Sequence, residues 1–251
     1  MPNSTAPSLF GKDGISAAGL KLLACVFMFI DHTGLLLFPN ALFLRIIGRL
    51  AFPIFAFFIA EGCRYSRHEL RRFLTIFLLG VVYETVYVLF SGGWYGNILL
   101  TFSCSILLIT LLQRWKRSMC GDDRKRQFLY FLAFFASVAL IGLVICRIGI
   151  DYGFPGIMLP VLISLFDYRE GETPETRKKL HRSGIKLLVT AAGLILVAAQ
   201  PNLHNLQYFS LFALPLLALY NGKPGPRGFK YGFYVFYPAH LLLLQAAALL
   251  I

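Results

Sequence analysis

The chain has 251 residues, 57% hydrophobic and only 14% charged, with a mean hydropathy of +0.68. Soluble domains carry about 45–50% apolar and about 25% charged residues, so an ordinary soluble fold is excluded and an all-α, polytopic integral membrane protein is expected. The formal net charge of +12 would suggest nucleic acid in a soluble protein. Here the basic residues stand in short runs between apolar segments, as cytoplasmic loops do, and no nucleic-acid partner is expected.

In chain order the apolar segments fall near 18–38, 41–63, 72–91, 97–115, 127–146, 153–167, 185–200, 206–220 and 231–250. They predict about nine transmembrane helices in one transmembrane domain over 1–251, preceded by a cytoplasmic segment at 1–17. Loops 64–72, 114–126, 169–182 and 221–230 are basic, while the alternate loops 92–96 and 201–205 contain no Lys or Arg. That alternation predicts an N-terminus inside and a C-terminus outside the cell (inner or plasma) membrane. The start of the chain does not read as a cleavable signal. Segment six carries Pro155, Gly156 and Pro160, and segments seven and eight are near the minimum length. Short or broken helices of this kind suit the walls of a cavity rather than lipid contact. The five cysteines show no metal-ligand spacing and read as free thiols, and no metal is expected.

The first segment contains Asp31-His32 deep in apolar sequence, LLACVFMFIDHTGLLLF. Charged groups at that depth are costly and mark functional sites. Steps of four, three and four place Lys21, Cys25, Met28 and His32 on one helix face, with Lys21 and His32 roughly 16 Å apart along the axis. A cation near the surface and an imidazole far inside suit a long ligand with an anionic head and a reactive far end. An imidazole is also the side chain best matched to taking a proton from an amine or hydroxyl near neutral pH, with a carboxylate to orient it; Asp31 is the nearest candidate.

Other membrane-embedded polar residues can be placed by depth. Arg45 and Arg49 share a face and need carboxylate partners, with Asp31, Glu84 and Asp151 at similar depth. They read either as a charge network that locks helices together or as acceptor-binding groups. Glu61 lies at the inner end of the second segment beside Arg64. Asn97, Thr101 and Ser105 form a polar stripe at helical spacing, the usual signature of helix-helix contact. Tyr234, Tyr237 and His240 lie three apart near the C-terminus, and His204 reads as an outer-loop residue.

The runs IDHTG, RIIGRLAFPIFAFFIAEGCRYSRH, NILLTFS, DYGFPGIMLPVL and YNGKPGPRGFKYGFYVFYPAHLLLL, in order over nearly the whole chain, resemble the TraX family of conjugal-transfer proteins. That resemblance implies acetyl transfer, the family's founding activity being acetylation of the pilin N-terminus, and a relation to acyltransferase-3-type membrane enzymes that use cytoplasmic acyl-coenzyme A. Those enzymes have a basic residue eleven positions before a catalytic His; Lys21 and His32 match the spacing, with Lys in place of the usual Arg. On this reading acetyl-CoA, or another acyl-CoA, is a co-substrate rather than a permanently bound cofactor. It binds near Lys21, Glu61, Arg64 and Lys230. His32 with Asp31 is catalytic, and Arg45, Arg49, Glu84, Asn97, Asp151, Tyr237 and His240 line the acceptor site. The acceptor, a pilin N-terminus, glycan or small molecule, is open, as is assembly into a homo-oligomer. A proton-coupled transporter and a structural subunit of a membrane complex are the readings from other classes.

Overall fold

Ser16 starts the first helix, α1 (Ala17–Leu36), as its extended N-cap, with its hydroxyl accepting from the Gly19 N–H at 3.3 Å. The remaining first-turn donors are satisfied from far along the chain. Ala17 and Ala18 donate to the carbonyls of Lys223 and Pro224 (2.9 and 3.2 Å), and Ile15 and Tyr220 form a short parallel bridge. Asn221 Nδ2 donates to the Gly14 carbonyl at 2.7 Å. Gly225, at φ +77°, lies so close that a Cβ there would stand 2.7 Å from the Ser16 hydroxyl. The NGKPG turn thus closes the N-terminus of α1, which would otherwise present orphan amides.

The computed structural model describes residues 14–65, 68–167, 183–201, 205–226 and 230–250. The second predicted span is interrupted: α2 (Leu42–Gly48) is followed by α3 (Ala51–Tyr65). Pro53 explains the break, because it has no N–H to donate and is tolerated only in the first turn of a helix. Then come α4 (Glu69–Ser91), α5 (Ile98–Ser118), α6 (Arg124–Ile148) and α7 (Gly153–Ser164). They are followed by α8 (Ser183–Ala198), a 3-10 helix (Asn205–Phe212), α9 (Ala213–Ala218) and α10 (Lys230–Ala248). The eighth predicted span is therefore a 3-10 helix running into a short α-helix rather than one continuous helix.

Among the described residues, five helices are long and apolar enough to cross a membrane: Ala17–Leu36, Leu42–Tyr65 taken together, Glu69–Phe90, Ile98–Ser118 and Arg124–Ile148. Four further apolar helices are shorter, and they fall where the sequence predicts the sixth to ninth spans. The protein is thus all-helical among its described residues apart from the one bridge, and membrane-like. None of the five cysteines is in a disulfide.

The chain folds as two compact units, Met1–Phe58 with Arg182–Ile251, and Ile59–His181. In the first, α1 packs on α2 and α10, and the 3-10 helix packs on α2, α8 and α9. Lys21 faces Phe233 while His32 meets His240, so α1 and α10 run side by side in the same direction. In the second unit α5 is the hub for α4, α6 and α7, with Phe102, Ile106, Ile109 and Leu112 buried. Lys116 Nζ donates to the carbonyls of Ser164, Leu165 and Asp167 at 2.7–3.1 Å, capping α7.

Candidate functional site

Close approach of α1 and α2 builds the site. Gly34 and Gly48 are the points of contact: a Cβ on Gly34 would lie 2.8 Å from Leu44 Cβ, and one on Gly48 would run into the Asp31 side chain. With no side chain on Gly48 in the way, Asp31 reaches both arginines of α2 and its C-terminal end. Arg45 Nη1 donates to Asp31 Oδ2 at 2.7 Å and to the Asp31 carbonyl at 3.1 Å. Arg49 Nη2 donates to both carboxylate oxygens at 2.8 and 2.9 Å, and its Nη1 donates to Gln207 Oε1 at 3.3 Å. The side chains of Asp31, Arg45 and Arg49 are 13%, 22% and 12% exposed.

His32 turns to a different partner. Its Nδ1 lies 2.9 Å from the Met28 carbonyl and 3.1 Å from His240 Nε2, while His240 Nδ1 lies 2.8 Å from the Phe236 carbonyl. A carbonyl can only accept, so each neutral ring carries its proton on Nδ1. The His32 Nδ1–H is then shared between the Met28 carbonyl and the bare Nε2 of His240, and the lone pair of His32 is left on Nε2. His240, 4% exposed, is held by parallel stacking on Phe236 (4.8 Å, 8°) and by the edge of Tyr237 (5.8 Å). The expectation that Asp31 orients His32 is corrected here: a carbonyl and a second imidazole hold the ring, because Asp31 is taken up by the two guanidiniums.

The family profile described as "TraX protein" matches residues 16–247. The chain belongs to the TraX family. Two relatives are similar along almost their full lengths. A probable fimbrial assembly protein FimC of serogroup H1, from Dichelobacter nodosus, is 27% identical over 92% of this chain and 95% of its own. A protein TraX from Escherichia coli is 27% identical over 92% of this chain and 86% of its own. An uncharacterized protein from Rickettsia prowazekii is 38% identical over a third of each chain. No solved structure matches.

In this TraX-family chain the remaining candidate residues divide between the two units. Lys21, Asp31, His32, Arg45, Arg49, Tyr237 and His240 all belong to the first, and Lys21 Nζ lies over the rings of Phe58 (5.2 Å) and Phe233 (5.9 Å). Glu61, Arg64, Glu84, Asn97 and Asp151 belong to the second. Glu84 is bonded by groups of its own unit. Its Oε1 accepts from the Tyr95 and Gly96 amides (2.7 and 2.9 Å), and its Oε2 from the amide and side chain of Asn97 (3.0 and 2.7 Å).

Asn97 is fully used as the N-cap of α5: Nδ2 also donates to the Gly80 carbonyl, and Oδ1 accepts from Leu99. It has no donor to spare for an acceptor molecule. Asp151 contributes backbone groups, donating from N–H to the Gly96 carbonyl and accepting from the Thr101 hydroxyl. Ser105 makes the helix-helix contact the stripe predicts, donating to the Ile157 carbonyl of α7, while Thr101 bonds the turn before α7. Glu61 and Arg64 are buried and 3.9 Å apart, a loose ion pair inside the second unit rather than a surface one. The side chain of Lys230, and His204, lie outside the described residues. Sequence reasoning missed Gln207 and Lys186, both buried; the rule that singled out His32, a polar group inside an apolar segment, would have found them.

Proposed function

We propose that the protein is an integral membrane acyltransferase that moves an acetyl group from acetyl-CoA to an amine or hydroxyl acceptor, with His32 as the general base. The observation that carries this reading is the fixed tautomer of His32. With Nδ1–H held by Met28 and His240, only Nε2 can accept a proton, and a base aimed through one nitrogen is what acyl transfer requires. In the forward step His32 Nε2 takes the proton of the acceptor as its nitrogen or oxygen forms a bond to the thioester carbonyl. As the tetrahedral intermediate collapses, the C–S bond breaks and the same proton goes to the departing thiolate. His240 Nε2, accepting from His32 Nδ1–H, stabilises the charge while His32 is protonated. Asp31 draws Arg45 and Arg49 to the position preceding the base, where they orient the acceptor. The relatives' names, fimbrial assembly protein and TraX, fit an acceptor at a pilin N-terminus.

His32→Ala, purified in lipid nanodiscs, is expected to retain acetyl-CoA binding and to lose about 100-fold or more in thiol release with a pilin N-terminal peptide as acceptor, the scale of a removed general base. His32→Gln, which can hold a hydrogen bond but cannot act as a base, should be equally inactive. Near-normal turnover by His32→Gln would remove His32 from the chemistry. A wild-type protein that binds no acetyl-CoA but carries a solute into liposomes would replace the enzyme with a transporter.

A further inference from the structure

The 3-10 helix that packs on α2 buries its polar residues and turns aromatic ones outward. Gln207 and Ser210 are its buried members, 1% and 0% exposed, while Tyr208 and Phe212 are exposed. Side chains three apart eclipse one another in a 3-10 helix, so Gln207 and Ser210 stack on one face, about 6 Å apart along the axis. In an α-helix the same two residues would point about 60° apart. Runs of 3-10 helix beyond three or four residues are uncommon, and this one holds its form over eight residues, Asn205–Phe212.

Both side chains keep hydrogen-bonding capacity that the fold does not use. Arg49 Nη1 donates to Gln207 Oε1 at 3.3 Å, and since a guanidinium has no lone pair to offer, that bond fixes which end of the amide faces Arg49. Gln207 Nε2, with its two N–H groups, and the Ser210 hydroxyl are buried with no hydrogen-bond partner among the described residues. Buried groups left so are uncommon and costly. Arg49 Nη2 bonds Asp31, the residue before His32, so two hydrogen bonds lead from Gln207 to the neighbour of the base. An extended peptide presents the N–H and C=O of one residue to the same side. One acceptor and one donor are what an amide N–H and a hydroxyl oxygen can take. A sugar ring brings several hydroxyls, more than two unspent groups can satisfy, and an ammonium, which only donates, is refused by Nε2.

We propose that Gln207 and Ser210 are specificity-determining residues that hold the backbone of a peptide acceptor. Gln207 Nε2–H donates to the carbonyl of the acceptor's second residue, and Ser210 Oγ accepts the N–H of that same residue, one residue along from the amine that His32 serves. The assignment rests on the acyltransferase reading and narrows its acceptor to an amine carried on a peptide chain, chosen by amide groups rather than by side chains. Both groups are covered in the resting chain, so the peptide enters as the 3-10 segment shifts on α2, a movement that an uncommonly long 3-10 run favours. Binding then satisfies the two groups that the resting fold leaves unpaired.

Binding and transfer are measured on the full chain in lipid nanodiscs with an alanine pentapeptide, free at its amine and amidated at its C-terminus. A second probe is the same peptide with an ester oxygen in place of the second residue's N–H. On the unaltered protein the ester is expected to raise KM about tenfold with kcat within about threefold, a comparison that stands whether or not the variants fold. Gln207→Glu keeps an oxygen for Arg49 but replaces the N–H donor with an acceptor, and should raise KM for the pentapeptide about tenfold or more. Ser210→Ala should reduce the peptide's advantage over the ester from about tenfold to about twofold, and should melt no lower than the parent, because an unspent hydroxyl adds nothing to the resting fold. Equal KM for peptide and ester, or unchanged KM for the pentapeptide in either variant, overturns the proposal and leaves acyl transfer standing; a lower melting temperature of Ser210→Ala then assigns the hydroxyl to a buried water. Transfer to a maltoside whose KM rises in the variants, in place of the peptide's, puts a sugar on the pair and also overturns it. Pentapeptide binding that is lost in both variants, without any transfer from acetyl-CoA, keeps the peptide seat and removes the acyltransferase reading. Neither binding nor transfer by the unaltered protein overturns both.

Discussion

Asp31 in the first unit and Glu84 in the second are both carboxylates inside apolar helices, and both accept several hydrogen bonds, yet their donors differ in kind. Glu84 is closed by the backbone amides of Tyr95, Gly96 and Asn97 and by the Asn97 side chain. Those donors are fixed by the turn that begins α5, and the carboxylate is 3% exposed. Asp31 is held by the long side chains of Arg45 and Arg49, which are partly exposed. A carboxylate bonded to backbone is tied to the fold of one turn, whereas one bonded to guanidiniums is held by side chains of a neighbouring helix. The neighbour of each acid tells the same story: Asn97 next to the Glu84 knot is fully occupied, while His32 next to Asp31 keeps a lone pair on Nε2.

The largest effect that would break this comparison is on the Glu84 side. Glu84→Gln keeps one acceptor oxygen and turns an amide toward two donors, orphaning both. At ~1–3 kcal/mol for each buried unsatisfied group, unfolding in detergent should shift by roughly 4 kcal/mol while acetyl-CoA binding by the folded fraction is unchanged. A stable Glu84→Gln protein that has lost activity would make Glu84 a site residue after all.

Asp31→Asn comes next. Removing one partner of a buried ion pair costs about 3–5 kcal/mol, and partial exposure here puts the expectation near the low end. The informative measurement is turnover in the protein that folds: since a carbonyl and His240 hold His32, transfer should stay about tenfold or more above that of His32→Ala. Turnover as low as that of His32→Ala would restore the carboxylate as the orienting group.

The smallest effect sharpens the contrast within the second unit. Ser105 donates to the Thr101 and Ile157 carbonyls (3.1 and 2.8 Å), a contact between α5 and α7. Ser105→Ala should cost about 0.6 kcal/mol, the usual worth of a side-chain hydrogen bond between membrane helices, with acetyl transfer unaffected. A loss of activity larger than the loss of stability would place this stripe in the site.

What was legible in the residues follows what each signal measures. Asp31, Arg45 and Arg49 could be matched because they lie 14 and 18 positions apart, in adjacent helices with a short turn between. Glu84 could be placed only by depth, which is one coordinate and does not foretell its donors, the amides of Tyr95, Gly96 and Asn97 in the turn before α5. His240 lies 208 positions from His32, and no periodicity connects them. Lys186 was passed over because a lysine beside a basic loop reads as a topology signal, although the rule that singled out His32, a polar group inside an apolar segment, covers it.

By itself the sequence determined that this is a multi-helix membrane protein of the TraX family and that His32 is anomalous, because hydropathy and the cost of burying a polar group are local and additive along the chain. The tertiary structure decided which nitrogen of His32 is bare, which acid is tied to backbone and which to side chains, and that Gln207 and Ser210 share the buried face of the 3-10 helix. Those are properties of helix adjacency, set by where Gly34 and Gly48 let backbones approach and where the NGKPG turn closes α1, and adjacency between distant segments is not written in any one of them.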